Sequence, residues 1–163
     1  MVIYMDNKKE FYMRKAIEVA KKALEFNEVP VGAIIVKDDQ IISSGFNTRE
    51  TKQISTHHAE IIAINEACEN LGTWRLEDCE MYVTLEPCIM CSGTLILSRI
   101  KKVYFGAYDP KSGSVVSVNN VLDHKKYNHM VEYEGGILGK ECSKLLTDFF
   151  KTLRKKKTLD KIK

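Results

Sequence analysis

Residues 81–107 read MYVTLEPCIMCSGTLILSRIKKVYFGA, and this stretch decides the architecture. Met81 to Leu85 is a short apolar run with Glu77-Asp78 before it and Pro87 after it, which predicts a strand. Met90, Thr94, Leu95, Leu97 and Ser98 suit a short helix, and Val103 to Ala107 predicts another strand. Two strands joined through a helix imply a parallel pair with a right-handed crossover.

Working outward, Asn7 with Glu10 three positions on has the form of a helix cap. Met13, Ala16, Ile17, Ala20, Ala23 and Leu24 then recur at helical spacing, so the first helix is expected to run to about Phe26. Gly32 to Val36 and Ile41 to Phe46 flank Lys37-Asp38-Asp39-Gln40 and predict a hairpin. A polar stretch, Asn47 to Ser55, leads to a helix with Ile61, Ile64, Cys68 and Leu71 on one stripe, ended by Gly72. Beyond the central stretch, Asp109 to Gly113 is loop chemistry. Val115 to Leu122 has room for a short helix, and Met130 to Tyr133 predicts a fifth strand. A last helix carries Leu138, Cys142, Leu145 and Phe149 on one face. The order predicts an α/β fold: a mixed sheet of about five strands with helices on both faces. No repeat or linker divides residues 1–163, so one domain is expected, with 151–163 as an extension of the last helix.

Composition narrows the function classes. At 163 residues, 44% hydrophobic and 29% charged, the chain has the balance of a soluble globular protein. No window of about 20 apolar residues predicts a membrane span. The N-terminus, MVIYMDNKKE, lacks the pattern of a signal peptide, so a cytoplasmic location with reduced thiols is expected. Five cysteines, an odd number, argue against a disulfide framework and leave metal binding or catalysis open. Residues 151–163 hold seven Lys or Arg against one Asp, so of the total +3 the first 150 residues carry −3. A mildly acidic body with a basic extension suits a polyanionic partner. Neither GxGxxG nor GK[ST] follows a strand, which removes the common nucleotide-phosphate loops.

Cys88 and Cys91, three apart on the expected helix after Pro87, direct their sulfurs to one point. Proline suits a first helical turn, and a helix N-terminus favours thiolate. By itself the pair reads as a redox couple, half of a metal site or two small core residues. His58, preceded by the capping-type Ser55 and Thr56, supplies a third donor at another helix start. Three protein ligands to zinc leave the fourth tetrahedral position for water, as catalytic sites require. Glu60 lies two residues beyond the histidine, about 200° around a regular helix. It reaches the same water only if His58 stands at the helix entrance, and there it serves as a proton carrier.

The stretches HAE, LEPCIMCSG, SRIKKVYFGAYDPKSG and ECSKLLTDFF resemble the bacterial tRNA-specific adenosine deaminases, in the cytidine-deaminase-like superfamily. The resemblance runs from the first helix to Phe150 and implies a three-layer α/β/α fold with one zinc per chain. It implies hydrolytic attack on adenine C6 at the wobble position of a tRNA anticodon, leaving inosine, in a homodimeric enzyme. It also implies that Asn47 holds the flipped base and that Asp109 and Lys111 shape the nucleotide channel. Beside that match, Arg154 and the lysines after it are expected to meet the anticodon stem. Two departures stand out: His57 replaces a small residue before the zinc histidine, and Ser114 to Val118 replaces a more glycine- and leucine-like run. Two other readings compete: a deaminase of a free base or nucleotide such as guanine or cytosine, and a non-catalytic zinc-stabilised RNA-binding module with His57 as fourth ligand.

Overall fold

The structure, a computed structural model, describes residues 2–162. Five strands form one mixed sheet: β1 (Gly32–Lys37), β2 (Gln40–Phe46), β3 (Glu80–Leu85), β4 (Lys102–Ala107) and β5 (Glu132–Glu134), in the spatial order β2-β1-β3-β4-β5. β1 pairs antiparallel with both β2 and β3, while β3–β4 and β4–β5 are parallel. The helices are α1 (Val2–Lys22), α2 (Arg49–Lys52), α3 (Ala59–Leu71), α4 (Ile89–Leu97) and α5 (Gly139–Ile162).

β1, β3 and β4 are near-continuous apolar runs because both of their faces are covered. Alternation sorts their side chains. Ala33, Ile35, Met81, Val83, Val103 and Phe105 meet α3 and α4, whereas Ile34, Val36, Tyr82 and Tyr104 meet α1 and α5. This is the three-layer α/β/α arrangement. Phe105 has no exposed surface, and truncating it to alanine would cost about 3–5 kcal/mol.

The β1–β2 turn places Asp38 (φ 49°) and Asp39 (φ 61°) in the left-handed region, the backbone of a tight hairpin turn that aspartate tolerates. Ile35 faces Ser43 while Val36 faces Ile41, so Ile42 is the extra residue of a bulge. At Gly45 a Cβ would stand 2.5 Å from the Ala59 carbonyl oxygen and 2.8 Å from the Ala63 nitrogen. α3 therefore rests on β2 backbone to backbone.

That approach corrects the expected α3 stripe. The buried face is Ala59, Ala63, Ile64 and Ala67, because only small side chains fit over Gly45, and Ile61, Cys68 and Leu71 are half-buried beside it. Asn7 is not a cap: α1 already begins at Val2, with no glycine or proline between there and Asn7 to stop it. The end of that helix tightens into a 3-10 turn, Ala23–Phe26, closed by Asn27 at φ 54°. α2 lies inside the stretch read as merely polar. The helix expected within Val115–Leu122 shrinks to a 3-10 turn at Val121–Asp123. β5 begins at Glu132, opposite Lys102, after Val131 has turned into the core. No helix among the described residues is long and apolar enough to cross a membrane.

Candidate metal centre and active-site cleft

Because β2 and β3 both oppose β1, and β4 runs with β3, the C-terminal ends Phe46, Leu85 and Ala107 share one edge of the sheet. Three segments leave from that edge: Asn47 to His58, Glu86 to Cys88, and Tyr108 to Gly113. β1 enters there through Val29 and Val31. Between them lies a cleft of about 160 Å³, with Val29, Val31 and Leu85 as apolar wall and His58, Glu60 and Cys88 among its polar lining.

His58 is the N-cap of α3 (φ −77°, ψ 154°) and Cys88 is the N-cap of α4 (φ −73°, ψ 178°). Both are extended residues at helix mouths. Cys88 thus precedes the helix it was expected to join, and Pro87 lies outside the first turn. Cys91, inside α4, turns its thiol back to the same point. His58 Nδ1 stands 3.6 Å from Cys88 Sγ and 3.7 Å from Cys91 Sγ, and the three donor atoms lie within 4.8 Å of one another. A tetrahedral zinc with ordinary bond lengths would separate nitrogen from sulfur by about 3.5 Å. The donor set therefore fits zinc in both chemistry and spacing.

The electrostatics favour a thiolate at Cys88. The Cys91 thiol, donating to Cys88, draws the Cys88 pKa down to about 4, against burial and with help from His58. The same proton and burial push Cys91 upward, and the bond to Cys88 raises His58. Two helix N-termini add positive potential at this point. All five cysteines are free thiols, and Cys79 and Cys142 are buried in the core.

Glu60 is the second residue of α3 and only 4% exposed. Burial raises its carboxyl to about 7, partly offset by its backbone amide and by His58. The extended backbone of His58 is what brings Glu60 to the same cleft as the histidine, despite their spacing.

The remaining expected residues separate. Asn47 lines the cleft and is also a turn residue: Nδ2 donates to the Val29 carbonyl (3.3 Å) and Oδ1 accepts from Arg49 N–H (3.1 Å). Asp109 lines the cleft while its Oδ1 accepts from the amides of Lys111 (3.0 Å) and Ser112 (3.2 Å). Lys111 is exposed on that loop and its side chain is not part of the lining. Arg154 is farther off, in the fully exposed end of α5. His57 turns away from the donor set; its Nδ1 pairs with Thr48 Oγ1 at 3.3 Å. Phe149 packs in a groove with Leu24 and Leu153, and Phe150 meets it edge to face at 5.3 Å.

Sequence reasoning missed Arg49, the one Lys or Arg among the described residues that lines the cleft, and Glu86. Nothing in a polar loop marks Arg49. Glu86 carries a signal, a charge inside an apolar strand end. It is 2% exposed. Its Oε2 accepts from the amides of Val115 (3.2 Å), Val116 (3.0 Å) and Ser117 (3.0 Å). Its Oε1 accepts from the Asp109 amide (3.2 Å) and the Ser117 hydroxyl (2.5 Å). Burial pushes its pKa up, but the donors, Ser117 first, outweigh that and hold it below the ordinary carboxylate value.

With this geometry in hand, comparison with known proteins is decisive. The pattern of the MafB19-like deaminases matches residues 7–154. The tRNA-specific adenosine deaminase of Bacillus subtilis (strain 168) is 52% identical over 148 residues, 91% of this chain and 92% of that one. The chain belongs to the tRNA-specific adenosine deaminase family. Another member, from Aquifex aeolicus (strain VF5), is 56% identical over 146 residues, 90% of this chain and 96% of its own. A solved chain from biochemical and structural studies of A-to-I editing by tRNA:A34 deaminases superimposes with a TM-score of 0.80 at 38% identity. It covers 83% of this chain and 99% of its own length, so this tRNA-specific adenosine deaminase family member shares the family's cytidine-deaminase-like α/β fold.

Proposed function

We propose that this chain is a zinc-dependent enzyme that converts the wobble adenosine of a tRNA anticodon to inosine, consuming water and releasing ammonia. The observation that carries the reading is the convergence of His58, Cys88 and Cys91 beside the buried Glu60 in an open cleft. The family membership supports the substrate.

In this reading His58, Cys88 and Cys91 hold one zinc ion. When bound, zinc supplies the Lewis acidity that ionises water near neutral pH. Glu60 takes the proton released as the water oxygen attacks adenine C6 and passes it to ring N1. It then takes the proton of the new C6 hydroxyl and delivers it to the amine, so that the C6–N bond breaks, ammonia leaves and the C6 carbonyl of inosine forms. Asn47, with one N–H and one lone pair beyond its turn bonds, holds the base edge. Asp109 fixes the loop that borders the base, and Lys111 and Arg49 meet the flanking phosphates. The pairing of His57 with Thr48 supports an open fourth coordination position rather than a closed structural one.

Around the site, we take residues 1–163 as one catalytic domain in the cytoplasm. Arg154 and the lysines after it contact the anticodon stem. Ile89 and Leu97, 62% and 70% exposed on α4, support a homodimer through that helix. The test is incubation of the purified protein with an arginine tRNA carrying a wobble adenosine. Inosine is expected with one zinc per chain, and a Glu60→Ala protein that retained full activity would overturn the mechanism.

A further inference from the structure

Glu86 lies two residues before Cys88, yet no step above uses it. It gathers five hydrogen bonds from a segment 23 to 31 positions later in the chain. That segment, between β4 and the 3-10 turn at Val121, has no strand or helix to hold it. Three consecutive amides, of Val115, Val116 and Ser117, close on one carboxylate oxygen, a nest for an anion supplied from within the chain. Gly113 completes the fit, since a Cβ there would lie 2.3 Å from Glu86 Cδ and Oε2. The Ser114 amide donates to the Pro87 carbonyl at 2.9 Å, and the Glu86 amide to the Ala107 carbonyl at 2.8 Å. The cysteine-bearing turn and the loop carrying Asp109 and Ser112 are thereby one unit.

We infer that Glu86 is a positioning residue: it fixes the Asp109–Ser117 loop as the outer wall of the cleft and so sets substrate affinity without binding the metal. This rests on the deaminase reading above. It also gives the Ser114–Val118 departure a role, because Ser117 supplies two of the five donors.

Glu86→Gln tests it. A glutamine keeps one oxygen for the three consecutive amides and turns its NH₂ toward the Asp109 amide and the Ser117 hydroxyl. The hydroxyl can reverse, but the Asp109 N–H cannot, so that tie is lost selectively. KM for tRNA should rise about tenfold, the effect of one stranded buried donor, with kcat within about threefold. Zinc should remain at one per chain, and hydrogen exchange at the Asp109 amide should accelerate. Ser117→Ala should move KM and exchange in the same direction by less, and it serves if Glu86→Gln does not fold. A folded variant with unchanged KM and exchange overturns the inference. So does a fall in kcat accompanied by zinc loss at constant KM. A wild-type protein inactive on tRNA overturns the deaminase reading instead, and the exchange measurement still decides whether Glu86 holds the loop.

Discussion

The cleft has two side walls, each tied down by one buried glutamate, and the ties differ. On the β4 side Glu86 accepts five hydrogen bonds. On the β2 side Glu28, with no exposed surface, accepts one, from the Thr51 amide at 2.5 Å, and its Oε2 meets no donor among the described residues. The first wall is built around its charge. The second, carrying Asn47 and Arg49, the first residue of α2, gives one amide to its carboxylate and otherwise rests on turn and backbone bonds, among them Asn47 N–H to the Val31 carbonyl (3.1 Å) and Thr48 N–H to the His57 carbonyl (3.2 Å). A saturated carboxylate makes a loop rigid, while a half-satisfied one leaves its segment room to adjust around a ligand.

A change that both walls feel equally sets the scale for that contrast. Replacing Glu60 with alanine should lower kcat by about 10²–10⁴-fold while zinc content stays at one per chain. Cys91→Ala should lose zinc and activity together, as should prolonged chelation, with the metal followed by elemental analysis. Breaking the saturated wall comes next. Glu86→Ala strands several buried donors, so a loss of about 3 kcal/mol or more is expected, lowering Tm by roughly 6–12 °C.

Outside both walls, removal of residues 154–163 deletes only exposed side chains among those described, so Tm should hold. KM for tRNA should rise about tenfold or more at physiological salt, with a shallower salt dependence. A free base should be processed as before by the shortened protein if it is a substrate at all, which separates tRNA from small-molecule deamination. The smallest effect is the sharpest test of the comparison. Glu28→Gln keeps an acceptor for the Thr51 amide and alters only the second oxygen, which has no donor to lose, so stability should change by no more than about 1 kcal/mol in either direction. A larger loss from Glu28→Gln than from Glu86→Ala in the same denaturant titration would invert the ranking of the walls.

Much of this was legible in the residues, where one local rule governs. The five strands followed from apolar runs, and the parallel β3–β4 pair from the helix between them. The hairpin followed from two apolar runs flanking Lys37-Asp38-Asp39-Gln40. His58, Glu60, Cys88 and Cys91 stood out because donor types recur at spacings that chemistry requires. The misses are contacts that local periodicity does not carry. α3 shows its alanines to the sheet because Gly45, fourteen positions before Ala59, lets the backbones touch. The helix expected after Val115 fails because its first amides go to a carboxylate on another element. Asn7 looked like a boundary, yet capping residues sit inside helices wherever the preceding residues continue the turn.

α5 is docked as far as Leu153 and then continues, with every residue from 154 to 162 exposed. Nine residues of free peptide would scarcely hold a helical shape in water. Here they only propagate turns that the body has already nucleated, so the basic end projects about 13 Å as a stiff spar rather than trailing as a tether. Its ammonium groups are thereby held at the pitch of a screw, and a glycine pair placed near its root would keep every charge while discarding their spacing.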